Sequence, residues 1–408
     1  MSHDPYGALR HQGFRRYLVG HILAVLGQAM MAVAGGGELY ERTHSALALG
    51  IVGLVQVVPM VTLILPAGHL ADSGDRRRVL IGAELLIALA AAGLAAASLT
   101  RAPVATYYLL LALYGAGRTF QLPAKQAIMP NLLPIGTLQN AIAWNSGGWQ
   151  TADVLGPALG GWLIAWTGGA VAVYGVCAAT ALIFIVLIGR VDVTRPTGSG
   201  TPLSWHALLE GIRFVRGSPM LLAAMSLDLF AVLLGGVMAL LPIYAKDILH
   251  TGPAGLGWLR AAQSVGALLT SFALAHRPPL ERAGRALLGA VAGFGIAMVV
   301  FGVSRTFWLS FAMLLVAGGF DAVSVVIRLA LAQLATPDSL RGRVSAVNSL
   351  FIGMSNELGE FESGFLASIV GPMIAVVAGG IGVIAVVGWV SVVWPNIRRL
   401  ERLDQSAA

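Results

Sequence analysis

The chain has 408 residues, of which 57% are hydrophobic and only 11% charged, with a net charge of +7 and a mean hydropathy of +0.80. A soluble chain carries about 25% charged residues. This one lacks the polar surface to cover a globule, so lipid is its expected solvent, and a soluble enzyme or soluble binding module is excluded.

Long apolar runs follow one another at 17–40, 46–71, 79–100, 103–129, 137–166, 170–190, 218–246, 254–276, 283–303, 307–335, 343–369 and 373–394. A helix crosses the hydrocarbon with roughly 20 apolar residues, whereas a barrel strand needs only about 10 in strict alternation. The expected fold class is therefore an all-α membrane protein with twelve transmembrane helices. The first run is long and lacks a small-residue cleavage pattern, so it reads as a helix that stays. The sixth holds Cys177, whose lone thiol forms no internal disulfide.

Two connections stand out. Between the second and third runs lies GHLADSGDRRRVL (68–80), a dense charge cluster flanked by apolar sequence. Its turn suits Gly68 and Gly74. Between the sixth and seventh runs lies the longest connection, 191–217. It opens polar (VTRPTGSGTP), then places Trp205, Leu208, Leu209 and Ile212 at helical spacing, with Glu210, Arg213 and Arg216 off that face. This reads as a short amphipathic helix on the inner leaflet, with a plain linker as the other reading. The expected organisation is a six-helix bundle over 1–190, a cytoplasmic linker over 191–217 and a second six-helix bundle over 218–408.

With the N-terminus in the cytoplasm, eighteen arginines fall in cytoplasmic segments and four Lys or Arg in outer loops. The positive-inside rule then puts both termini on the cytoplasmic side of a cell membrane. The arginines are spread over six segments, which argues against a nucleic-acid partner. The halves also resemble each other. A shift of 203 positions lays PIGTLQNAIAWNS (134–146) on PDSLRGRVSAVNS (337–349), Gly156 on Gly359, Arg118 on Asp321 and Lys125 on Arg328. Secondary transporters are often built from such repeats, with the substrate site between them. Of the two lysines, neither Lys125 (PAKQ) nor Lys246 (YAKD) sits in a phosphate-cradling Gly-Lys-Ser/Thr loop. No HExxH metal site occurs, so neither cofactor, metal nor enzymatic activity is expected.

The 68–80 loop resembles the signature G-x-L-(A)-D-x-x-G-R-R-x-x-L of the major facilitator superfamily through Gly68, Leu70, Ala71, Asp72, Arg76, Arg77 and Leu80. Asp75 stands where the family has a second glycine. LGPALGG (155–161) resembles the Gly-Pro-x-x-Gly-Gly element of antiporter members through Gly156, Pro157, Gly160 and Gly161, with Ala152 in place of the upstream glycine. FRRYLVG, GRTFQLPAKQAIMPNL and NSLFIGMSNELGEFESG resemble the branch that includes enterobactin exporters and macrolide and tetracycline efflux pumps. The resemblance implies a monomeric exporter that exchanges a small amphipathic compound, drug or siderophore-like, for protons. An importer or facilitator of a small metabolite on the same fold is the alternative. It also implies that Asp72, Arg76 and Arg77 belong to a cytoplasmic gate loop; enforcing topology is the other role open to the arginines.

Charges inside spans are costly and are functional candidates by default. Arg118, Asp153, Asp228, Asp321 and Glu357 fall near mid-depth of their runs. The resemblance places Arg118, Lys125, Asp228, Asp321 and Arg328 on a central substrate cavity. Asp321 and Arg328 are seven residues apart and share a helix face, about 10 Å along it; Arg118 and Lys125 repeat that spacing. Arginine does not titrate usefully, so a carboxylate must carry the proton. Asp228 has no cation within a turn of its own run and is the first choice. Asp321 with Arg328, or Asp153 with Arg118, also fit permanent structural pairs. Glu357 shares a face with Glu360 and fits either a second proton site or a counter-charge for arginines elsewhere. Pro157 among the motif glycines fits a loosened helix or ordinary close packing. Glu38 and Glu84 lie nearer their run ends and are expected to snorkel to the interface.

Overall fold

The computed structural model describes residues 6–134, 137–191, 205–276, 282–337 and 340–400. They form helices with no strand among the described residues. In chain order these are α1 (Gln12–Thr43), α2 (Ala46–Ser73), α3 (Arg76–Leu99), α4 (Val104–Ile128), α5 (Leu138–Thr167), α6 (Val171–Gly189), α7 (Trp205–Gly217) and α8 (Pro219–Leu234). They are followed by α9 (Gly252–Ala275), α10 (Ala283–Val303), α11 (Phe307–Leu334), α12 (Arg341–Val370) and α13 (Pro372–Val393).

Among the described residues, 8 helical segments are long and apolar enough to cross a membrane: α1, α2, α3, α6, α8 continued to Ile248, α10, α11 and α13. The chain is a multi-pass membrane protein. Helices α4, α5, α9 and α12 are 25, 30, 24 and 30 residues long. They have the length to span, but they carry internal charges such as Arg118, Lys125, Asp153, Arg260, Glu357 and Glu360. The expectation of twelve spans therefore rests on these four polar helices.

The seventh run is not one helix. α8 ends at Leu234, and after Gly235–Gly236 the chain continues through a 3-10 turn (Val237–Leu240) and a π-helical turn (Tyr244–Ile248). Two adjacent glycines weaken the helix. Gly236 also lies so close to the Gly359 carbonyl that a side chain there has no room.

The chain divides into two compact units, 1–42 with 55–204 and 43–54 with 205–408. In the first, Phe14, Tyr17, Leu80, Ile128, Phe184 and Ile188 share a buried core, and α3 packs on both α4 and α6. The α2–α3 turn is built by Gly74 and Asp75. A Cβ on Gly74 would come within 2.6 Å of the Leu70 carbonyl. Asp75 caps α3, its carboxylate accepting from the backbone N–H of Arg77 (3.0 Å) and Arg78 (3.4 Å). The departure from the family glycine is thus an N-cap. Asp75→Ala is expected to lower stability by about 1 kcal/mol, read as a fall in thermal midpoint.

The arginines after it do different things. Arg76 donates to the carbonyls of Ala127 (2.9 Å) and Ala71 (3.2 Å). Arg77 donates to the carbonyls of Gly189 and Val191, and Arg16 to that of Arg190 (2.6 Å). Helix C-termini present unpaired carbonyls and partial negative charge, so these cations close the ends of α4 and α6. Arg78 is exposed. The side chain of Asp72 lies outside the described residues.

α5 meets α1 through the Gly156/Gly160 face. A Cβ on Gly156 would meet Ala29 Cβ at 2.5 Å, and one on Gly160 would meet Met30 Cα at 2.9 Å. Gly156, Pro157, Gly160 and Gly161 are all buried. Close packing is what this motif does here.

In the second unit α10 packs on α11 and α13, and α9 on α11. α12 meets α8 through Gly359, whose added Cβ would meet the Val232 carbonyl at 2.6 Å. Gly156/Ala29 and Gly359/Val232 are each 203 positions apart, so each unit repeats the same helix contact. The segment Ala46–Leu54 also packs on α12, with Gly50 against Gly364. α7 seats on α12 through buried Gly211 and Val215, fastened by Arg343 to Glu210 at 2.6 Å. Leu209 is 49% exposed on another side. The polar stretch 192–204 and the side chains of Trp205 and Leu208 lie outside the described residues.

Candidate functional sites in the two units

Asp228 sits on α8, buried, in the second unit. Its carboxylate pairs directly with the guanidinium of Arg328 on α11, which is also buried. Arg328 Nε donates to Ser324 Oγ at 3.1 Å, one turn back on the same helix. Asp321, half-buried on α11, lies near enough for its charge to act on both partners. Three of the expected cavity residues therefore come together. Asp228 has no cation within a turn of its own helix; the one that pairs with it comes from another helix. Arg328 closes its ion pair across helices to Asp228 rather than along α11 to Asp321. The break at Gly235–Gly236 follows Asp228 by about two helical turns.

The first unit holds a different cluster. Arg118 is exposed on α4, with its guanidinium 3.4 Å from Gln56 Oε1 and 5.7 Å from the Tyr114 ring centroid. Lys125, two turns on, turns its ammonium toward the Phe184 ring at 5.8 Å. Facing it is Glu84 of α3, fully buried and hydrogen-bonded by the Gln121 amide. Snorkelling does not occur. A position near the end of an apolar run fixes depth but not which face the residue occupies, and Glu84 faces its own bundle. Glu38 is corrected on the same ground. Its Oε1 accepts from Arg42 (2.7 Å), Ser98 (2.7 Å) and Tyr107 (2.8 Å), knotting α1, α3 and α4 at one end of the unit.

Asp153 is half-buried on α5. Glu357 and Glu360 are half-buried on α12, and their backbone carbonyls lie against Gly53 and Gly50 of the α2 segment. Glu362 accepts from Ser363 Oγ at 3.3 Å. Among the described residues no group of three His, Cys, Asp or Glu could hold a metal ion.

Residues 3–408 match the family model described as "Transmembrane secretion effector", a branch of the major facilitator superfamily. The chain belongs to that superfamily. Enterobactin exporters are among its curated relatives. That of Shigella boydii is 26% identical over 396 residues, covering 96% of this chain and 94% of the relative. That of Escherichia coli O1:K1 shows the same identity and coverage. Among solved structures, a bacterial homologue of the human lysosomal transporter Spinster aligns with TM-score 0.76 at 13% identity, covering 97% of this chain and 99% of that one. A peptide transporter in complex with sulfate aligns at 0.73 and 14% identity, covering 98% and 100%. These structures share the superfamily's fold. The protein is a transporter and not an enzyme, and its exporter relatives are consistent with efflux.

Proposed function

We propose that this protein is a proton-coupled exporter of a small amphipathic compound, drug or siderophore-like, working by alternating access. In this reading twelve helices form two six-helix bundles, 1–190 and 218–408, joined by the 191–217 linker. The monomer lies in the cell membrane with both termini cytoplasmic. The observation that carries the coupling is the grouping of Asp228, Asp321 and Arg328. Two carboxylates against one cation leave one negative charge in a poorly solvated place, where two nearby carboxylates rarely both ionise. One proton balances the group, and losing it to the far side of the membrane is the coupling step. The break after α8 supports the site, because discontinuous spans are where secondary transporters commonly bind cargo and coupling ions.

Arg118 and Lys125 belong to the cargo wall in this proposal, with Asp153 and Glu357 as secondary proton candidates. Asp72 is the gate carboxylate. Arg76 and Arg77 keep Gly68 and the 68–80 turn fixed to their own unit.

The test uses purified protein in vesicles loaded with a pH dye, challenged with siderophores, macrolides, tetracyclines and dyes. Substrate-evoked proton movement is expected from the wild type. Asp228→Asn keeps a hydrogen-bond acceptor for Arg328 but carries no exchangeable acid proton. It is expected to bind cargo and to show no pH-driven transport. Normal coupled transport in Asp228→Asn would overturn the assignment, and cargo movement without protons would make the protein a facilitator.

A further inference from the structure

We infer that Glu84 is a second proton-binding site, lodged in the first unit, with Lys125 as its movable counter-charge. Glu84 is 0% exposed, and its Oε2 has no hydrogen-bond partner among the described residues. Its single hydrogen bond comes from a neutral amide, that of Gln121. An isolated ionised carboxylate is very costly to bury, and a single neutral donor does not offset that cost.

Among the described residues, three helices bring groups toward Glu84. From α1 comes Tyr17, whose ring stacks on that of His21 with centroids 5.7 Å apart; His21 Nδ1 is also buried without a partner among the described residues. From α6 comes Cys177, with Phe184 against the Tyr17 ring. From α4 come Gln121 and Lys125, with Arg118 beyond and its charge acting on Lys125. Lys125 is the cation whose charge reaches Glu84, yet the two form no ion pair, and the ammonium lies over Phe184 instead.

This arrangement fits the protonated acid: a neutral Glu84, with Lys125 released to the aromatic ring. Loss of the proton leaves a buried carboxylate that draws Lys125 across on its flexible four-carbon stem. The proton passes between Glu84 and water, with no covalent change. Proton occupancy of Glu84 thereby sets where the Lys125 charge lies. The site stands independently of the Asp228 assignment and of any cargo.

The test is infrared difference spectroscopy of the purified protein without substrate, titrated from mildly acidic to alkaline pH. A protonated-carboxyl band is expected, present at the acid end and lost on titration. The Glu84 component of the band should be missing from Glu84→Gln and retained in Asp228→Asn, whereas any component from the Asp228 and Asp321 pair should do the reverse. Gln121→Met, which leaves Glu84 in place, should shift the band's frequency and so assign it even where Glu84→Gln does not fold. A Glu84 band absent throughout would mean a permanent carboxylate, and one unchanged throughout a permanently neutral acid. Either result overturns the proposal.

Discussion

Replacing Arg328 with Met is expected to destabilise the protein by about 3–5 kcal/mol, the usual cost of stranding one partner of a buried ion pair. Asp228 and Arg328 are both nearly out of solvent. Without the guanidinium, Asp228 and Asp321 lose the cation whose charge acts on both. Removing both members of the pair, as Asp228→Leu with Arg328→Met, should recover part of the loss, because no carboxylate is then left in the pair. Adding Asp321→Asn should recover most of the rest, since Asp321 also relies on Arg328. Cys177, the only cysteine and 1% exposed, supplies the readout. A thiol-reactive fluorogenic dye reports its exposure as the protein melts. Equal melting of Arg328→Met and the triple variant would show that the group contributes nothing as a unit.

Gly160→Leu is expected to cost at least the roughly 1–3 kcal/mol typical of overpacking, and to abolish transport. The added Cβ would meet Met30 Cα at 2.9 Å and its carbonyl oxygen at 3.0 Å. Both are main-chain atoms, so no rotamer change relieves the clash and α1 itself must move. Met30→Ala should therefore fail to rescue Gly160→Leu. Gly175→Ala on α6 is the control: nothing lies within 4 Å of its added Cβ, and the substitution gains up to about 1 kcal/mol of helix propensity. Thermal midpoints by the same dye, with cargo uptake in vesicles, separate the two. Wild-type melting of Gly160→Leu would show that α1 and α5 do not pack as described.

Much of the fold was legible because its signals are local. Apolar length gives the helices, and the 68–80 loop and LGPALGG carry the superfamily. The site was only half legible. Asp228 and Arg328 are 100 positions apart, and nothing local gives the rotation of one helix against another. The sequence accordingly shows that Asp228 lacks a cation on its own run, but not that one reaches it from another helix. Glu84 and Glu38 were misread for a related reason: distance from the end of a run says how deep a residue lies, not whether it faces lipid or neighbours. The continuity of the seventh run failed at Gly235–Gly236, and that adjacent pair was a warning available in the sequence. Asp75 was a missed local signal as well, since an Asp immediately before a helical stretch is a common N-cap.

Lys125 and Arg328 occupy matching places in the two repeats, but the acids they answer do not. Glu84 comes from α3, the third run of its half, and Asp228 from α8, the first run of the other. The position matching Asp228 is Val25, and the one matching Glu84 is Leu287. The repeat thus carries a cation at the same position of both halves, while each acid lies on a different helix. The halves are no longer interchangeable parts. A chimera built from two copies of either half would repeat one charge arrangement and lose the other.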